Sequence, residues 1–170
     1  MNIPNTLTLV RLFLIPIFVL FFFSGETNSL TNATLIFLIA GLTDVLDGYI
    51  ARKYNLITKW GTVLDPLADK LMLVTVLTCL FLRNYIPLWV VLIIAIKEFL
   101  MISAGISFYR KDVVFPADGY GKIATLVFYI GILYLPFHSI ISNYLIYLGV
   151  AVSILAFVNY LLKVTRKFKV

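Results

Sequence analysis

Four aspartates, Asp44, Asp47, Asp65 and Asp69, fall within 26 residues of an otherwise apolar stretch. With their neighbours they read Asp44-x-x-Asp47-Gly48-x-x-Ala51-Arg52, eight residues, then Gly61-x-x-x-Asp65-x-x-x-Asp69. A helix turns about 100° per residue, so 44, 47, 48 and 51 share one stripe of one helix, and 61, 65 and 69 stack a turn apart on the next. A short connection makes the two helices antiparallel neighbours whose polar ends meet. Two like charges 5 Å apart cost about 3 kcal/mol even at an effective dielectric near 20. Divalent cations relieve that repulsion, and hard carboxylate oxygens suit Mg²⁺, Mn²⁺ or Ca²⁺. A pair of such ions about 4 Å apart is the usual way to handle a diphosphate. Gly48 and Gly61 let a bulky ligand approach the helix backbone, the small Ala51 keeps that face open, and Arg52 is placed to pair with a phosphate. The competing structural reading is that the aspartates belong to buried salt bridges with Lys53, Lys59 or Lys70; ionisable groups inside a membrane are more often functional.

The elements that must position these residues follow from composition. Of 170 residues, 62% are hydrophobic and 13% charged, and the mean hydropathy is +1.02. A soluble domain of this size cannot enclose that much apolar surface, and disorder is excluded by the same figures. The expectation is an all-α integral membrane protein with one domain over residues 1–170. Apolar stretches near 8–23, 31–50, 62–82, 86–108, 120–137 and 143–162 predict six transmembrane helices, the form that satisfies its own backbone in lipid. With six spans, Arg52, Lys53, Lys59, Arg110, Lys111, Lys163, Arg166, Lys167 and Lys169 share a side with both termini, against Arg83 alone on the other. The positive-inside rule then puts both termini, and the aspartates, at the cytoplasmic face of the cell membrane. The N-terminus lacks the basic flank and small-residue site of a cleavable signal. The net charge of +6 favours anionic lipid or phosphorylated substrates, and no nucleic-acid partner is expected. Pro66 predicts that the third helix starts near Gly61 to Asp65, with the proline in its first turn. Cys79 reads as a buried packing residue, and Trp60 and Trp89 as interfacial anchors. Ser103, Ala104, Gly105 and Ser107 form a patch suited to close helix packing.

The segment from Asp44 to Asp69 resembles the signature of the CDP-alcohol phosphatidyltransferase family, with every signature residue and spacing present. The opening Ile3-Pro4-Asn5, with Thr8 and Arg11 after it, is similar to the start of the family's glycerol-type bacterial members. The resemblance implies a six-helix membrane enzyme, working as a homodimer, that moves the phosphatidyl group of CDP-diacylglycerol to an alcohol and releases CMP. It implies that Asp44, Asp47, Asp65 and Asp69 hold two metals, that Gly48, Ala51, Arg52 and Gly61 line the CDP site, and that Asp69 is the base. The residues themselves also point to a carboxylate base. His138, the one histidine, belongs to the opposite side, and no Ser-His or Cys-His arrangement exists. Direct in-line attack is the expected course, next to metals that acidify the acceptor hydroxyl.

The acceptor is less sharply written. Users of glycerol 3-phosphate in this family typically carry Arg-Glu-Phe and then Thr-Gly-Leu-Arg on the fourth helix. This chain has Lys97-Glu98-Phe99 and Ile102-Ser103-Ala104-Gly105, and Gly121-Lys122-Ile123-Ala124-Thr125 where a Gly-Lys-x-Lys-Thr element is expected. Two missing cations weaken a dianion site, although Lys122 and Arg110 remain to hold an acceptor phosphate. The departures, with Ala40-Gly41-Leu42-Thr43-Asp44, pull toward the cardiolipin synthase branch, which uses phosphatidylglycerol. Glycerol 3-phosphate stays the first expectation because of the chain's opening. A cation transporter or channel subunit is the alternative from another class; it lacks support from internal repeats. Glu98 is left either paired with Lys97 or facing the site.

Overall fold

The structure, a computed structural model, describes residues 3–54, 61–109 and 119–168. These form six helices: α1 (Ile3–Phe22), α2 (Ser29–Lys53), α3 (Gly61–Leu82), α4 (Leu88–Tyr109), α5 (Gly119–Tyr134) and α6 (Ser139–Phe168). Large apolar side chains stand exposed on every one, among them Phe13, Leu35, Leu71, Phe99, Leu126 and Leu155. Water would penalise that surface and lipid does not; this is a membrane protein. By length and composition Pro4–Phe22, Ser29–Lys53 and Ser139–Leu162 can each cross a bilayer, and Tyr120–Tyr134 is a shorter apolar helix. Hydroxyls inside the helices are satisfied locally: Thr34 Oγ1 donates to the Leu30 carbonyl and Thr78 Oγ1 to the Val74 carbonyl, at 2.8 and 2.7 Å. Such bonds hide the hydroxyl from lipid without a partner helix.

The chain divides into two compact units, Met1–Asn84 and Tyr85–Val170. In the first, α1 packs along both α2 and α3, while α2 and α3 meet only briefly. The pairing expected from the aspartate spacing is therefore indirect, with α1 as the common partner. The pattern on α1 explains this. Pro4, Thr8, Arg11, Phe18 and Phe22 recur at intervals of three or four, or multiples of them, and all are buried. The same spacing on α2 aligns Ala33, Phe37 and Ala40, each fully buried, with Asp44 and Asp47. Each stripe is apolar over most of its length and polar at one end, so antiparallel packing brings the polar ends together. The α1–α2 connection turns through Gly25 at φ 75°, and α3 closes on Asn84 at φ 58°, whose N–H donates to the Phe81 carbonyl at 2.8 Å. Arg83 donates to the Phe22 carbonyl at 3.4 Å and lies over the Phe23 ring, capping the C-terminal end of α1.

Pro66 sits in the second turn of α3 rather than the first. Its ring displaces the hydrogen bond that would reach the carbonyl of residue 62, close enough to the helix start that few bonds precede it. Pro16 occupies the interior of α1, a position more readily accepted in membrane helices than in soluble ones.

In the second unit, α6 packs closely on α5 and more lightly on α4. Glycines set the α5–α6 distance. A Cβ on Gly149 would lie 3.1 Å from the Phe128 ring, and one on Gly131 would lie 3.2 Å from Leu145 and Ile146. Ser142 Oγ donates to the Gly131 carbonyl at 2.8 Å. Trp89 stacks on Tyr147 with centroids 5.7 Å apart. Cys79 is free and buried, as its apolar setting implies.

Candidate active site

The polar end of the first unit is built around Arg11. This side chain is fully buried, and its two Nη arms reach two carboxylates. Nη2 donates to Asp47 Oδ2 at 2.6 Å, and Nη1 forms an ion pair with Asp44 Oδ1 at 2.8 Å. Nε and Nη1 are buried with no hydrogen-bond partner among the described residues, so the guanidinium is held by one hydrogen bond, to Asp47, and by charge alone at Asp44. Asp47 is the inner member, with a side chain 3% exposed, and Asp44 the rim member at 40%. One turn before Arg11, the buried Thr8 hydroxyl is shared between the Pro4 carbonyl, 3.1 Å away, and Asp65 Oδ1 on α3. Asp47 lies within electrostatic reach of Asp44, Asp65 and Arg11 together. Three of the four expected aspartates are thus gathered by two side chains of α1.

Arg11 is the residue that pattern reading underused. The signal was present: a single arginine inside a 20-residue apolar helix is expensive and needs an anionic partner. Of the lysines named as alternative partners, Lys53 meets aromatic rings. It lies over the Tyr49 and Tyr54 rings, 5.4 and 5.6 Å from their centroids. Lys59 lies outside the described residues, as does Trp60.

Around this centre the remaining candidates take distinct positions. The Arg52 guanidinium lies over Gly48, where a Cβ would stand 3.5 Å from both Nη atoms. Gly48 is therefore covered by a cation at ordinary contact distance. Ala51 is half-buried and Gly61 is buried. Asp69 is half-buried, one turn after Asp65 on α3. Lys122 belongs to the second unit and is exposed, and Arg110 lies outside the described residues. His138 is exposed between α5 and α6. Glu98 accepts from Lys97 Nζ at 2.6 Å, and Lys97 also donates to Ser153 at 3.0 Å, all three buried. Of the two expectations for Glu98, the pairing with Lys97 is present, within the second unit.

The donor set at the first site is chemically suited to a hard divalent ion: carboxylate oxygens, a hydroxyl and no sulfur. Arg11 and Thr8 take one oxygen each from Asp44, Asp47 and Asp65. As the side chains stand, no three acidic, histidine or cysteine groups among the described residues close on a single point. The carboxylates are drawn instead toward α1.

Helical architecture, a membrane-type surface and aspartates gathered on a buried arginine place the chain among membrane proteins with a functional ionisable site. The model of the CDP-alcohol phosphatidyltransferase family matches residues 1–155, and the chain belongs to that family. Three relatives each bear the name CDP-diacylglycerol--glycerol-3-phosphate 3-phosphatidyltransferase. The one from Rickettsia felis is 35% identical over 126 residues, 74% of this chain and 70% of that protein. The Bacillus subtilis protein is 34% identical over 151 residues, 82% of this chain and 78% of its own length. The Escherichia coli K12 protein is 47% identical over 91 residues, 54% of this chain and 50% of its own.

Proposed function

We propose that this protein transfers the phosphatidyl group of CDP-diacylglycerol to the hydroxyl of glycerol 3-phosphate and releases CMP, in glycerophospholipid synthesis. The observation that carries this reading is the convergence of Asp44, Asp47 and Asp65 on Arg11 and Thr8, in the spacing of the family to which the chain belongs. The choice of acceptor is supported by the relatives, each named for glycerol 3-phosphate.

In this reading Asp44, Asp47, Asp65 and Asp69 hold Mg²⁺ or Mn²⁺. Ions held there supply positive charge for the diphosphate and acidify the acceptor hydroxyl. Gly48, Ala51 and Gly61 leave room for the CDP moiety, and Arg52 pairs with its phosphate. Lys122 and Arg110 are the cations left for the acceptor phosphate. Asp69 takes the proton from the acceptor hydroxyl as its oxygen attacks the phosphorus that carries diacylglycerol. The bond from that phosphorus to the bridging oxygen breaks, and CMP leaves with the electron pair. All six helices span the cell membrane, with both termini and the aspartates on the cytoplasmic side. The nine-to-one division of Lys and Arg supports that topology. The working unit is a homodimer, as family membership suggests.

The test is an assay of purified protein in mixed micelles with CDP-diacylglycerol, Mg²⁺ or Mn²⁺, and each radiolabelled acceptor in turn. CMP together with a lipid product from glycerol 3-phosphate is the expected result. Turnover only with phosphatidylglycerol would move the protein to the cardiolipin synthase branch. No CMP with either, alongside cation uptake in vesicles, would overturn the enzyme reading in favour of a transporter.

A further inference from the structure

A second polar cluster lies in the other unit, between α4 and α6. Lys97 and Glu98 on α4 and Ser153 on α6 are all buried. Lys97 Nζ donates to Glu98 Oε1 at 2.6 Å on its own helix and to Ser153 Oγ at 3.0 Å on the other. Nearer the start of both helices Trp89 stacks on Tyr147. The two contacts advance together along the chain, so α4 and α6 run parallel. They stand eight residues apart on α4 and six on α6, about 12 and 9 Å at 1.5 Å per residue. The α4 face between them is uniform: Val90, Val91 and Ile94 are buried and make no directional bond, while Leu92, Ile96 and Phe99 stand exposed. Lipid tails are as apolar as these side chains, so apolar contact gives α4 little preference for one position along α6 over another. The ammonium has a strong preference. One turn to either side of Ser153 stand Gly149, Val150, Ala156 and Phe157, and none has a side-chain acceptor. A slip of one turn would take a hydrogen bond from a buried charge, which is costly.

We infer that Lys97 and Ser153, with Glu98 as the counter-charge that lets the ammonium stay buried, fix the register of α4 on α6. Buried polar groups set register in this way in coiled coils, where one polar side chain at the seam selects a single alignment of two otherwise apolar helices. Here the effect matters more, because α4 rests on α6 more lightly than α5 does and has fewer packed side chains to select a position. Glu98 follows Lys97 directly on α4, so the ion pair moves with that helix and is indifferent to sliding. Ser153 is the member that reads the position of α6, and its hydroxyl is the group whose loss should free the register.

The experiment measures the distance between nitroxide labels on Leu88→Cys in α4 and Leu162→Cys in α6 by pulsed electron paramagnetic resonance. Both positions are exposed, and Cys79→Ala removes the native thiol. The full chain is held in lipid nanodiscs. A one-turn slip displaces one helix along the other by about 5 Å, and labels so far apart along the helices convert most of that into a change in distance. The labelled parent and Ser153→Thr, which keeps the hydroxyl, are expected to give one narrow distance. Ser153→Ala, and the double variant Lys97→Met with Glu98→Gln that removes the pair without stranding either charge, are expected to add a second population displaced by up to about 5 Å. Ser153→Ala deletes one oxygen from a small residue, so it decides the matter if the double variant does not fold. A single unchanged distance in Ser153→Ala overturns the inference, whether or not its melting temperature falls, because the bond would then stabilise the pair without setting its register. A broad distribution already present in the parent also overturns it.

Discussion

Arg11 on α1 and Asp47 on α2 meet at 2.6 Å with both side chains removed from solvent, although 36 positions separate them in the chain. The same guanidinium reaches Asp44, whose side chain is 40% exposed. The two carboxylates therefore contribute unequally to the fold. Asp47→Asn leaves Arg11 without its buried counter-charge, a change that costs about 3–5 kcal/mol where a deep ion pair is broken on one side. Asp44→Asn removes a partner that solvent already screens, worth about 1 kcal/mol or less. Either substitution lowers the repulsion among the carboxylates, so comparing the two isolates the burial effect. Thermal unfolding in detergent is expected to show Asp47→Asn clearly less stable than Asp44→Asn. Equal losses would contradict the inner and outer assignment.

Removal of divalent ions is expected to stop the reaction. If ions held by the four aspartates neutralise a diphosphate, they provide several kcal/mol of the stabilisation the transition state requires. Chelation with excess EDTA should lower CMP release at least ~100-fold, and added Mg²⁺ or Mn²⁺ should restore it. Undiminished turnover after chelation would remove the metal-holding role of the aspartates.

Asp69 differs from the other three carboxylates in its assigned task. As the proton acceptor it acts on the hydroxyl that attacks, a contribution of about 10²–10⁴ in rate for a positioned base. Asp69→Asn is expected to lose turnover by such a factor while Mn²⁺ binding changes far less. Measuring both quantities on one preparation separates them. Near-normal turnover would take Asp69 out of that role.

What could be read from the chain depended on whether a signal was local. The six helices begin and end within six residues of the apolar stretches, because burial and backbone satisfaction act along one segment at a time. The aspartates were equally legible, since charge in an apolar helix stands out by composition. The identity of their partner was not. Lys53 is near Asp47 in sequence, yet it lies over Tyr49 and Tyr54, while the distant Arg11 makes the contact. Which helix packs against which is set by matching whole stripes, and a period read within one helix does not carry that information. Arg11 and Thr8 stand in the sequence as part of an opening similar to the family's, and their place on the buried face of α1 is a physical signal as well. Pro66 shows a local rule holding: α3 starts at Gly61, inside the expected window, with the proline one turn further in than the first.

The second unit offers a check on packing that is independent of the chemistry. Gly149 on α6 faces the ring of Phe128 on α5, and a Cβ there would stand 3.1 Å from two ring atoms. That is tighter than most carbon–carbon contacts, so the neighbour must give by a few tenths of an ångström. Phe128 is itself buried, at 2% exposure, so its ring has little room to give and a small separation of the two helices is the expected relief. Separation would also stretch the 2.8 Å bond from Ser142 to the Gly131 carbonyl at the same interface. Overpacking of this kind typically costs about 1–3 kcal/mol. Gly149→Ala is therefore expected to lower the melting temperature, and Phe128→Leu in the same chain to recover part of the loss by replacing the ring with a side chain that can rotate away. The double-mutant cycle measures this coupling directly. Losses that simply add, with no recovery in the pair, would mean that the clash at Gly149 is relieved elsewhere and that the glycine does not set the distance between α5 and α6.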